Sequence, residues 1–457
     1  MFACCGARKT GGEQMPLKDD SGVDMICMAC SDGSCDFKPM RFSRRSCGPR
    51  DVKIDMQYCG ICHTDVHFAA GHMDSVIPVA YPCVPGHELA GICVEVGAQV
   101  TKVKVGDHVG VGCMVDSCQS CGACKRGEEQ MCMAQTATYC GKDAHGRAGL
   151  GPDRPHNQTL GGYSTVHVVD ERFAVLIPKS FPLEYAGPVM CAGVTMFDPL
   201  KRQGATEGTR VGIVGLGGLG IMGIKLAKAL GCEVTAISRG AGLAESDVPA
   251  SPDFKSASGG RLSELSAPPS PKPRSKAEMA VAAGARTFVS SSDAEAMAAA
   301  AGSLDLILNT IPCYHNYMVY QRLLTPKGKQ VLLGLHEGLI AGMLVDTLTM
   351  RSSRLTGSAI GSIAATQECI DLCAREDIKP EVQVVSASEV NWVYEQLSAS
   401  NDAGKRYVLD IAGTLNDDAF EKSAEVPPPD LGADAGGPTI SGVLGETLKV
   451  LLLGRWW

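Results

Sequence analysis

The sequence predicts an α/β protein in which a barrel-like β region is joined to a doubly wound parallel sheet. Short alternating segments with glycine turns fill much of residues 52–109, which is typical of an all-β region. A G-x-G-x-x-G motif at Gly215–Gly220 lies between an apolar strand and a helix, as in dinucleotide-binding units. The length of 457 residues exceeds what one hydrophobic core supports. At least two domains are therefore expected.

Composition is that of an ordinary globular protein. Apolar residues make up 45% of the chain, charged residues 20%, and the net charge is −8. Without a dominant basic block, nucleic acid is not expected as a partner. No apolar run reaches the length of a membrane span, and no signal peptide pattern opens the chain. We expect a cytoplasmic protein whose 21 cysteines are reduced or metal-bound rather than paired in disulfides.

The β region contains the stretch Cys59-Gly60-Ile61-Cys62-His63-Thr64-Asp65, which follows a predicted strand at Val52–Met56. The Cys59-x-x-Cys62 spacing alone has two interpretations. It could be a redox dithiol, or Cys62 could be a metal ligand whose partners lie far along the chain. The thioredoxin-like βαβ context that a redox pair needs is absent, which favours the metal interpretation. Further strands are predicted at Ile92–Gly97, Val103–Val109 and Gly161–Val169.

Four closely spaced cysteines interrupt this strand pattern. Their arrangement is Cys118-x2-Cys121-x2-Cys124-x7-Cys132. Four thiolates suit tetrahedral coordination of zinc, and because they leave no open position the zinc would be structural. Cys113, just upstream, is expected to be a bystander.

The nucleotide-binding pattern begins at Arg210. A strand at Val211–Val214, a helix at Ile221–Leu230 and a second strand at Glu233–Ser238 surround the motif. Its glycines let the backbone approach a pyrophosphate at a helix N-terminus, where free amides and the helix dipole favour anions. The glycines are Gly215, Gly217, Gly218 and Gly220.

The end of the second strand indicates which nicotinamide cofactor is preferred. An NAD site normally carries Asp or Glu there to hold the ribose 2′-hydroxyl. This chain has Ser238-Arg239 instead. A hydroxyl and a guanidinium bind a 2′-phosphate, which a carboxylate would repel. NADP(H) is therefore the expected cofactor.

Three segments are expected to lie outside the folded domains. Residues 1–30 show no sustained period and are predicted to be a disordered extension. Residues 240–275 are rich in proline and serine and are predicted to be a disordered insertion. Residues 415–457 form a low-complexity tail that ends in Trp456-Trp457.

Taken together, the motifs resemble the zinc-dependent medium-chain alcohol dehydrogenases, most closely the cinnamyl alcohol dehydrogenase-like branch. The resemblance covers about residues 34–413 in the family's order. It implies a GroES-like catalytic domain from residues 31–191 and 360–414, with a Rossmann domain at 192–359 between them. The matching segments are Cys59–Asp65, Gly86-His87-Glu88, Cys118–Cys132, Cys191-Ala192-Gly193-Val194-Thr195, Gly215–Gly220 and Gly357–Ser362.

The resemblance also implies roles for individual residues. Cys62, His87 and Cys191 would bind a catalytic zinc and leave its fourth position open. Glu88 would lie in or next to the ligand set, and Asp65 would orient His87 through its other ring nitrogen. The remaining roles concern proton transfer and the cofactor: Thr64 would be the first relay hydroxyl, His67 the solvent end of the relay, His63 a pyrophosphate contact and Thr195 a nicotinamide contact.

The implied activity is hydride transfer between NADP(H) and a primary alcohol or aldehyde, with two zinc ions per chain and a homodimer as the assembly. The substrate would be aromatic, of the cinnamyl type, or one of a broad range of aldehydes. Residues 140–158, where substrate-lining residues are expected, match the family poorly. Two alternatives stay open: an NAD-dependent polyol dehydrogenase, and a catalytically silent NADP-binding regulatory protein. Ser238-Arg239 weighs against the first, and the intact Cys62, His87 and Cys191 set against the second.

Overall fold

The computed structural model describes residues 23–72, 78–142, 158–240, 275–313, 315–334, 353–399 and 405–418. Most of the predicted insertion at 240–275, nearly all of the tail at 415–457 and most of the segment at 140–158 lie outside these ranges. The strands are β1 (Val23–Cys30), β2 (Phe37–Arg44), β3 (Asp51–Ile61), β4 (Glu88–Val96), β5 (His108–Val111), β6 (Met114–Asp116), β7 (Thr136–Ala137), β8 (Val166–Asp170), β9 (Val175–Ile177), β10 (Arg210–Val214), β11 (Glu233–Ser238), β12 (Thr287–Ser290), β13 (Leu304–Asn309), β14 (Leu324–Leu332), β15 (Arg354–Gly357), β16 (Val382–Ser386) and β17 (Arg406–Asp410).

Short helices connect these strands. Among the described residues they are α1 (His63–Ala69), α2 (Gly122–Lys125), α3 (Leu183–Pro188), α4 (Val194–Arg202), α5 (Gly218–Ala229), α6 (Lys276–Ala283), α7 (Ala294–Ala299), α8 (Met318–Gln321), α9 (Ile363–Arg375), α10 (Val390–Ala399) and α11 (Ile411–Thr414). A turn of π-helix, Val189–Gly193, joins α3 to α4. None of the helices in the described ranges is both long and apolar enough to cross a bilayer.

A six-stranded parallel sheet forms the nucleotide-binding half of the molecule. Its order is β12-β11-β10-β13-β14-β15, the 3-2-1-4-5-6 arrangement of a doubly wound dinucleotide-binding sheet. The strands β10 and β13 are buried because helices cover both faces. In this topology a ligand binds beyond the carboxyl ends of the strands, where the order reverses next to β10.

The other half of the molecule is built on a mostly antiparallel sheet of seven strands. Its order is β16-β17-β3-β4-β5-β9, and β8 pairs with β3. The long strand β3 runs through the middle and ends at Ile61, directly before Cys62. β4 begins at Glu88, directly after His87. The ends of two neighbouring strands therefore bring Cys62 and His87 to the same edge of this sheet.

The prediction that residues 1–30 are disordered is wrong for residues 23–30. Those residues form β1, which pairs antiparallel with β2 along its whole length. Backbone bonds from Met28 N to Tyr163 O (2.9 Å) and from Cys30 N to Cys83 O (3.0 Å) attach the strand to the catalytic half. The run Met25–Cys30 is buried throughout, so it lacks the alternation by which half-buried strands are recognised.

The strand predicted at Val103–Val109 is also much shorter than expected. β5 begins only at His108, and the preceding residues form a turn. Gly106 has φ +88°, a conformation that favours glycine. Lys104 N donates to Asp107 Oδ2 at 3.0 Å and closes the turn.

His167 on β8 should make the fold sensitive to acid. The side chain is 2% exposed, and neither ring nitrogen has a hydrogen-bond partner among the described residues. Burial, reinforced by the charges of Arg44 and Arg45, lowers the pKa of His167 well below 6.5. Below that pH the unfolded chain binds a proton that the native state does not. The stability contributed by neutral His167 is thus present above pH 6.5 and decreases by up to about 1.4 kcal/mol per pH unit below it.

We expect His167→Leu to reduce this loss of stability between about pH 6.5 and pH 5.5, an interval that follows from the pKa shift of the buried imidazole. Thermal unfolding midpoints of the natural and variant proteins at both pH values measure the effect. Parallel decreases in the two proteins would show that His167 does not carry it.

Candidate metal centre and cofactor site

The Cys59–Asp65 stretch folds as the end of a strand followed by the start of a helix. Cys59 lies on β3, and Cys62 is the residue that precedes α1, with extended backbone angles. Asp65, three residues later, accepts a hydrogen bond from Cys62 N through Oδ2 at 2.8 Å. A carboxylate in the first turn of a helix is favoured because it satisfies a free amide. This local arrangement holds the Cys62 side chain at the helix N-terminus.

Four side chains from three distant parts of the chain converge at this point. The ligand atoms of Cys62, His87, Glu88 and Cys191 all lie within 4.8 Å of one another. His87 Nε2 lies 3.3 Å from Cys191 Sγ, and Cys191 is carried by the π-helical turn. A hydrogen bond from Cys191, together with the charges of Arg406 and His87, holds the pKa of Cys62 well below its usual range. A thiolate is the form in which cysteine binds metals.

Asp65 connects the other face of His87 to the helix. Its Oδ1 lies 2.9 Å from His87 Nδ1, and both side chains are buried. With Nδ1 directed at a carboxylate, Nε2 is the nitrogen left to face the thiols. This is the usual arrangement around a metal-binding histidine, because the second hydrogen bond fixes both the tautomer and the ring orientation.

Glu88 provides an independent observation in favour of a cation at this position. The residue is fully buried; Oε1 is ion-paired with Arg406, and Oε2 has no hydrogen-bond partner among the described residues. Burial raises the pKa of Glu88 to about 7, although Arg406 opposes the shift. Buried polar atoms are rarely left without partners. Two thiols, an imidazole and a neighbouring carboxylate with one oxygen still unpaired therefore fit zinc.

Arg406 is a site residue that sequence reasoning missed. It is the first residue of β17, and its Nη2 lies 3.1 Å from Glu88 Oε1. Its side chain also contacts the glycine loop, because a Cβ added to Gly218 would lie 3.0 Å from Arg406 Cδ. One guanidinium thus links the metal centre to the nucleotide loop. No local pattern marks this arginine, since its importance comes only from tertiary contact.

Two other cysteines, Cys59 and Cys113, also lie near the centre. Cys59 is fully buried, and its Sγ fills space left by Gly86 and Gly162. Burial raises the pKa of Cys59 well above its usual value, so its thiol is a packing group. Cys113 was expected to be a bystander, but its thiol contacts that of Cys191.

The residues predicted for proton transfer lie on α1, together with His63, one of the predicted cofactor contacts. Thr64 Oγ1 lies 3.5 Å from Cys62 Sγ. The rings of His63 and His67 stack with centroids 4.8 Å apart. His67 Nδ1 is 3.2 Å from Nδ1 of His72, a histidine that the sequence alone did not mark. Thr195 is buried in the first turn of α4, one helical turn after Cys191.

The four-cysteine cluster forms a second convergent site. The Sγ atoms of Cys118, Cys121, Cys124 and Cys132 all lie within 4.8 Å of one another. Backbone amides point at them: Cys121 N lies 3.3 Å from Cys118 Sγ, and Cys124 N lies 3.5 Å from Cys121 Sγ. Hydrogen bonds led by the Ser120 amide lower the pKa of Cys118 to about 5. Amide donors that stabilise thiolates suit a closed zinc site.

The glycine loop has the geometry that a pyrophosphate requires. Gly215 has φ +92°, and Gly217 directly precedes α5. A Cβ on Gly220 would lie 1.9 Å from the Gly215 carbonyl oxygen, so no side chain fits there. The loop therefore presents the N-terminus of α5, which is favourable for an anion.

Ser238 and Arg239 lie at the carboxyl end of β11. Ser238 is buried and Arg239 is exposed. Lys276, the first residue of α6, lies close enough for the charge of Arg239 to lower its pKa, in addition to the larger effect of burial. Two cations and a hydroxyl therefore meet at this edge. The sequence alone could not place Lys276 at this edge, because residues 241–274 separate it from β11.

Comparisons with known proteins agree with this architecture. Residues 48–179 match the alcohol dehydrogenase GroES-like domain family. The chain is 38% identical over 397 residues to a probable cinnamyl alcohol dehydrogenase 3 of Oryza sativa subsp. japonica, covering 87% of this chain and 96% of the relative. It is 40% identical over 372 residues to NADP-dependent alcohol dehydrogenase C 1 of Mycolicibacterium smegmatis, covering 81% and 93%. A solved cinnamyl alcohol dehydrogenase of Sorghum bicolor superposes with a TM-score of 0.72 at 35% identity, covering 86% of this chain and 99% of that one.

Proposed function

Because the chain belongs to the zinc-dependent medium-chain alcohol dehydrogenase family, in its cinnamyl alcohol dehydrogenase-like branch, we propose that it interconverts aldehydes and primary alcohols with NADP(H) at the Cys62–His87–Cys191 centre. The observation that carries the proposal is the buried two-thiol, one-imidazole set, which Arg406 joins to the glycine loop. Hydride donor and reacting oxygen are thereby held at neighbouring sites.

In this proposal the side chains of the protein bind the zinc ion, orient the substrate and transfer its proton. A zinc ion held by Cys62, His87 and Cys191 supplies Lewis acidity toward the substrate oxygen. Thr64 is the hydroxyl next to the reacting oxygen, and its Oγ1 passes the alcohol proton toward the cofactor ribose. His67, on the following turn of α1, exchanges that proton with water. Both residues lie on one short helix, so the path needs no large movement of the chain.

The cofactor is anchored at two separated points. Gly215, Gly217, Gly218 and Gly220 bind the pyrophosphate at the start of α5, with His63 beside them. Arg406 Nε has no hydrogen-bond partner among the described residues although it is buried, and it faces the same loop. Thr195 contacts the nicotinamide side. At the far end, Ser238, Arg239 and Lys276 bind the ribose 2′-phosphate by charge-assisted hydrogen bonds.

The direct test follows absorbance at 340 nm with NADPH or NADH and a panel of aromatic and aliphatic aldehydes. We expect zinc-dependent oxidation of NADPH and a preference for some members of the panel. Failure of every aldehyde with zinc-loaded enzyme would exclude the proposed activity. The panel also decides between a cinnamyl-type and a broad-range enzyme. The homodimer and the cytoplasmic location stay predictions, the first of which sedimentation velocity can test.

Arg239→Ala should weaken the use of NADPH selectively. Loss of a hydrogen bond to a charged group costs about 1.5–3 kcal/mol, which corresponds to a fall of roughly 10- to 100-fold in kcat/KM for NADPH. NADH lacks the 2′-phosphate, so its kcat/KM should be unchanged. Steady-state kinetics with both cofactors measure the ratio.

Arg286→Ala is the matched control for this test. Arg286 is exposed in the same half of the protein and pairs with Glu233 at the opposite end of β11. Its replacement removes the same charge without touching the proposed site. A similar loss with both variants, or equal use of NADH by the natural enzyme, would contradict the role given to Ser238 and Arg239.

A further inference from the structure

The Asp65 carboxylate accepts hydrogen bonds from several groups besides His87. Its Oδ1 accepts from His87 Nδ1 at 2.9 Å and from Gly86 N at 3.3 Å. Its Oδ2 accepts from Cys62 N at 2.8 Å and from the Tyr163 hydroxyl at 3.3 Å. Each carboxylate oxygen thus has two donors. The Tyr163 phenol is thus a side-chain donor to Oδ2.

A second phenol continues this network away from the centre. The Tyr394 hydroxyl, on α10, donates to the Tyr163 hydroxyl at 3.4 Å. Tyr163 is fully buried and Tyr394 is 3% exposed. Buried hydroxyls need partners, because removing a polar group from water without a hydrogen bond is costly. The chain of contacts therefore runs from α10 through two phenols to Asp65, and from Asp65 to His87.

The surrounding packing leaves the Tyr163 ring little freedom. Its Cδ1 would lie 2.7 Å from a Cβ on Gly86, the residue before His87. Tyr163 N also donates to Pro85 O at 3.1 Å, so the tyrosine and the histidine loop are bound together. Phe37 packs edge-on against both phenol rings, with centroids 6.3 Å from Tyr163 and 4.7 Å from Tyr394.

The position of α10 is itself fixed. Asn391, in its first turn, accepts from Phe37 N at 2.8 Å and donates to Phe37 O at 3.2 Å. These paired bonds attach the helix to β2. Tyr394, on the same helix, is therefore held in place by bonds between that helix and the backbone of β2.

We propose that Tyr163 is a positioning residue that, with Tyr394 behind it, holds the Asp65 carboxylate in the orientation that aligns His87 for metal binding. This inference rests on the proposed function, because it concerns the metal ligand of that site. A carboxylate with one donor missing can rotate about its own bond, and rotation shifts the hydrogen bond to His87 Nδ1. Partners of metal-binding histidines affect metal affinity by about 10- to 100-fold, and Tyr163 is one contact further away.

Tyr163→Phe tests the proposal because it keeps the ring and removes only the hydroxyl. We expect zinc release to an excess chromogenic chelator to accelerate by about three- to tenfold, a smaller effect than direct histidine partners give. Zinc release from this centre is identified as the kinetic phase that the natural protein shows and the Cys62→Ala protein lacks. The kcat for aldehyde reduction should fall by a similar factor, while KM for NADPH stays unchanged. Tyr394→Phe should change both quantities in the same direction but less.

Tyr58→Phe is the matched control, since it removes a hydroxyl from β3, the strand that leads into the metal-binding stretch. It should leave the release rate and kcat unaltered. Thermal unfolding of zinc-free protein separates the proposal from a general loss of packing. Tyr163→Phe should lose some stability, because the Tyr394 hydroxyl loses its acceptor, but it should stay folded at the assay temperature, so that unfolding does not explain faster zinc release.

If the natural enzyme is active and Tyr163→Phe has the same zinc release rate and the same kcat, the inference is overturned and the proposed function stays intact. Absence of turnover in the natural enzyme would instead count against the proposed function, whatever the release rates are.

Discussion

Replacing Cys62 with alanine is expected to remove one of two zinc ions per chain and to lower kcat/KM for aldehyde reduction by at least about 1000-fold. The variant loses a buried thiolate ligand and leaves His87, Glu88 and Cys191 as the remaining convergent side chains. Lewis-acid stabilisation of charge on the substrate oxygen contributes several kcal/mol, and every 1.36 kcal/mol corresponds to a factor of ten in rate. Elemental analysis of the purified protein and a steady-state assay measure the two outcomes.

Cys59→Ala is the matched control, because it removes a thiol from the same seven-residue stretch. Cys59 packs against Gly86 and Gly162 and, among the described residues, does not belong to the convergent group at the centre. We expect two zinc ions and near-natural activity, with a modest loss of stability from the small cavity. If Cys59→Ala lost the zinc and Cys62→Ala kept it, the ligand set would have to be redrawn.

The second large effect is expected at the four-cysteine site. Cys124→Ser should lose the other zinc ion while the ion at Cys62, His87 and Cys191 is retained. Structural zinc contributes folding free energy directly. If about 3 kcal/mol of it stabilises the catalytic half, taken as a domain of its own, the unfolding midpoint of that half falls by roughly 6–12 °C. Calorimetry and metal analysis of the same preparation provide the two readings.

Cys313→Ser serves as the control for that experiment. Cys313 is an exposed free thiol and belongs to neither convergent group. Its replacement should leave metal content and the unfolding midpoint unchanged. A Cys124→Ser protein that kept two zinc ions would show that the cluster does not bind one.

Local pattern predicted the nucleotide-binding half well, because its signals lie within a few residues. The strand at Glu233–Ser238 has the predicted bounds, and β10 begins one residue before the predicted Val211. Strand β1 was not predicted, because a strand buried on both faces lacks the alternation of apolar and polar residues that marks a half-buried strand. The start of β5 was predicted too early, because the alternating valines of residues 103–109 continue across a turn at Gly106.

The metal centre could be anticipated only in part. Spacing alone predicted the four-cysteine cluster, since its ligands lie within fifteen positions of one another. Cys62, His87 and Cys191 came from family resemblance, because no rule of local structure relates residues so far apart. Neither residue spacing nor family resemblance predicted the contacts of Arg406 and Tyr163 at the site. Arg406 meets its partner Glu88 because β17 and β4 both pair with β3. Tyr163 meets its partner Asp65 because of the way in which the Gly161–Tyr163 loop packs.

The contact between Arg406 and Gly218 has a consequence for protein engineering. The glycine loop and the last strand of the other half lie so close that a Cβ at position 218 would be 3.0 Å from Arg406 Cδ, and the arginine side chain would have to shift by a few tenths of an ångström. A chimera that takes its nucleotide-binding half from a relative should therefore keep glycine at position 218 as long as it retains Arg406. Ser238 and Arg239, the proposed 2′-phosphate contacts, lie instead at the carboxyl end of β11, so we expect changes of cofactor preference there to leave the metal centre undisturbed.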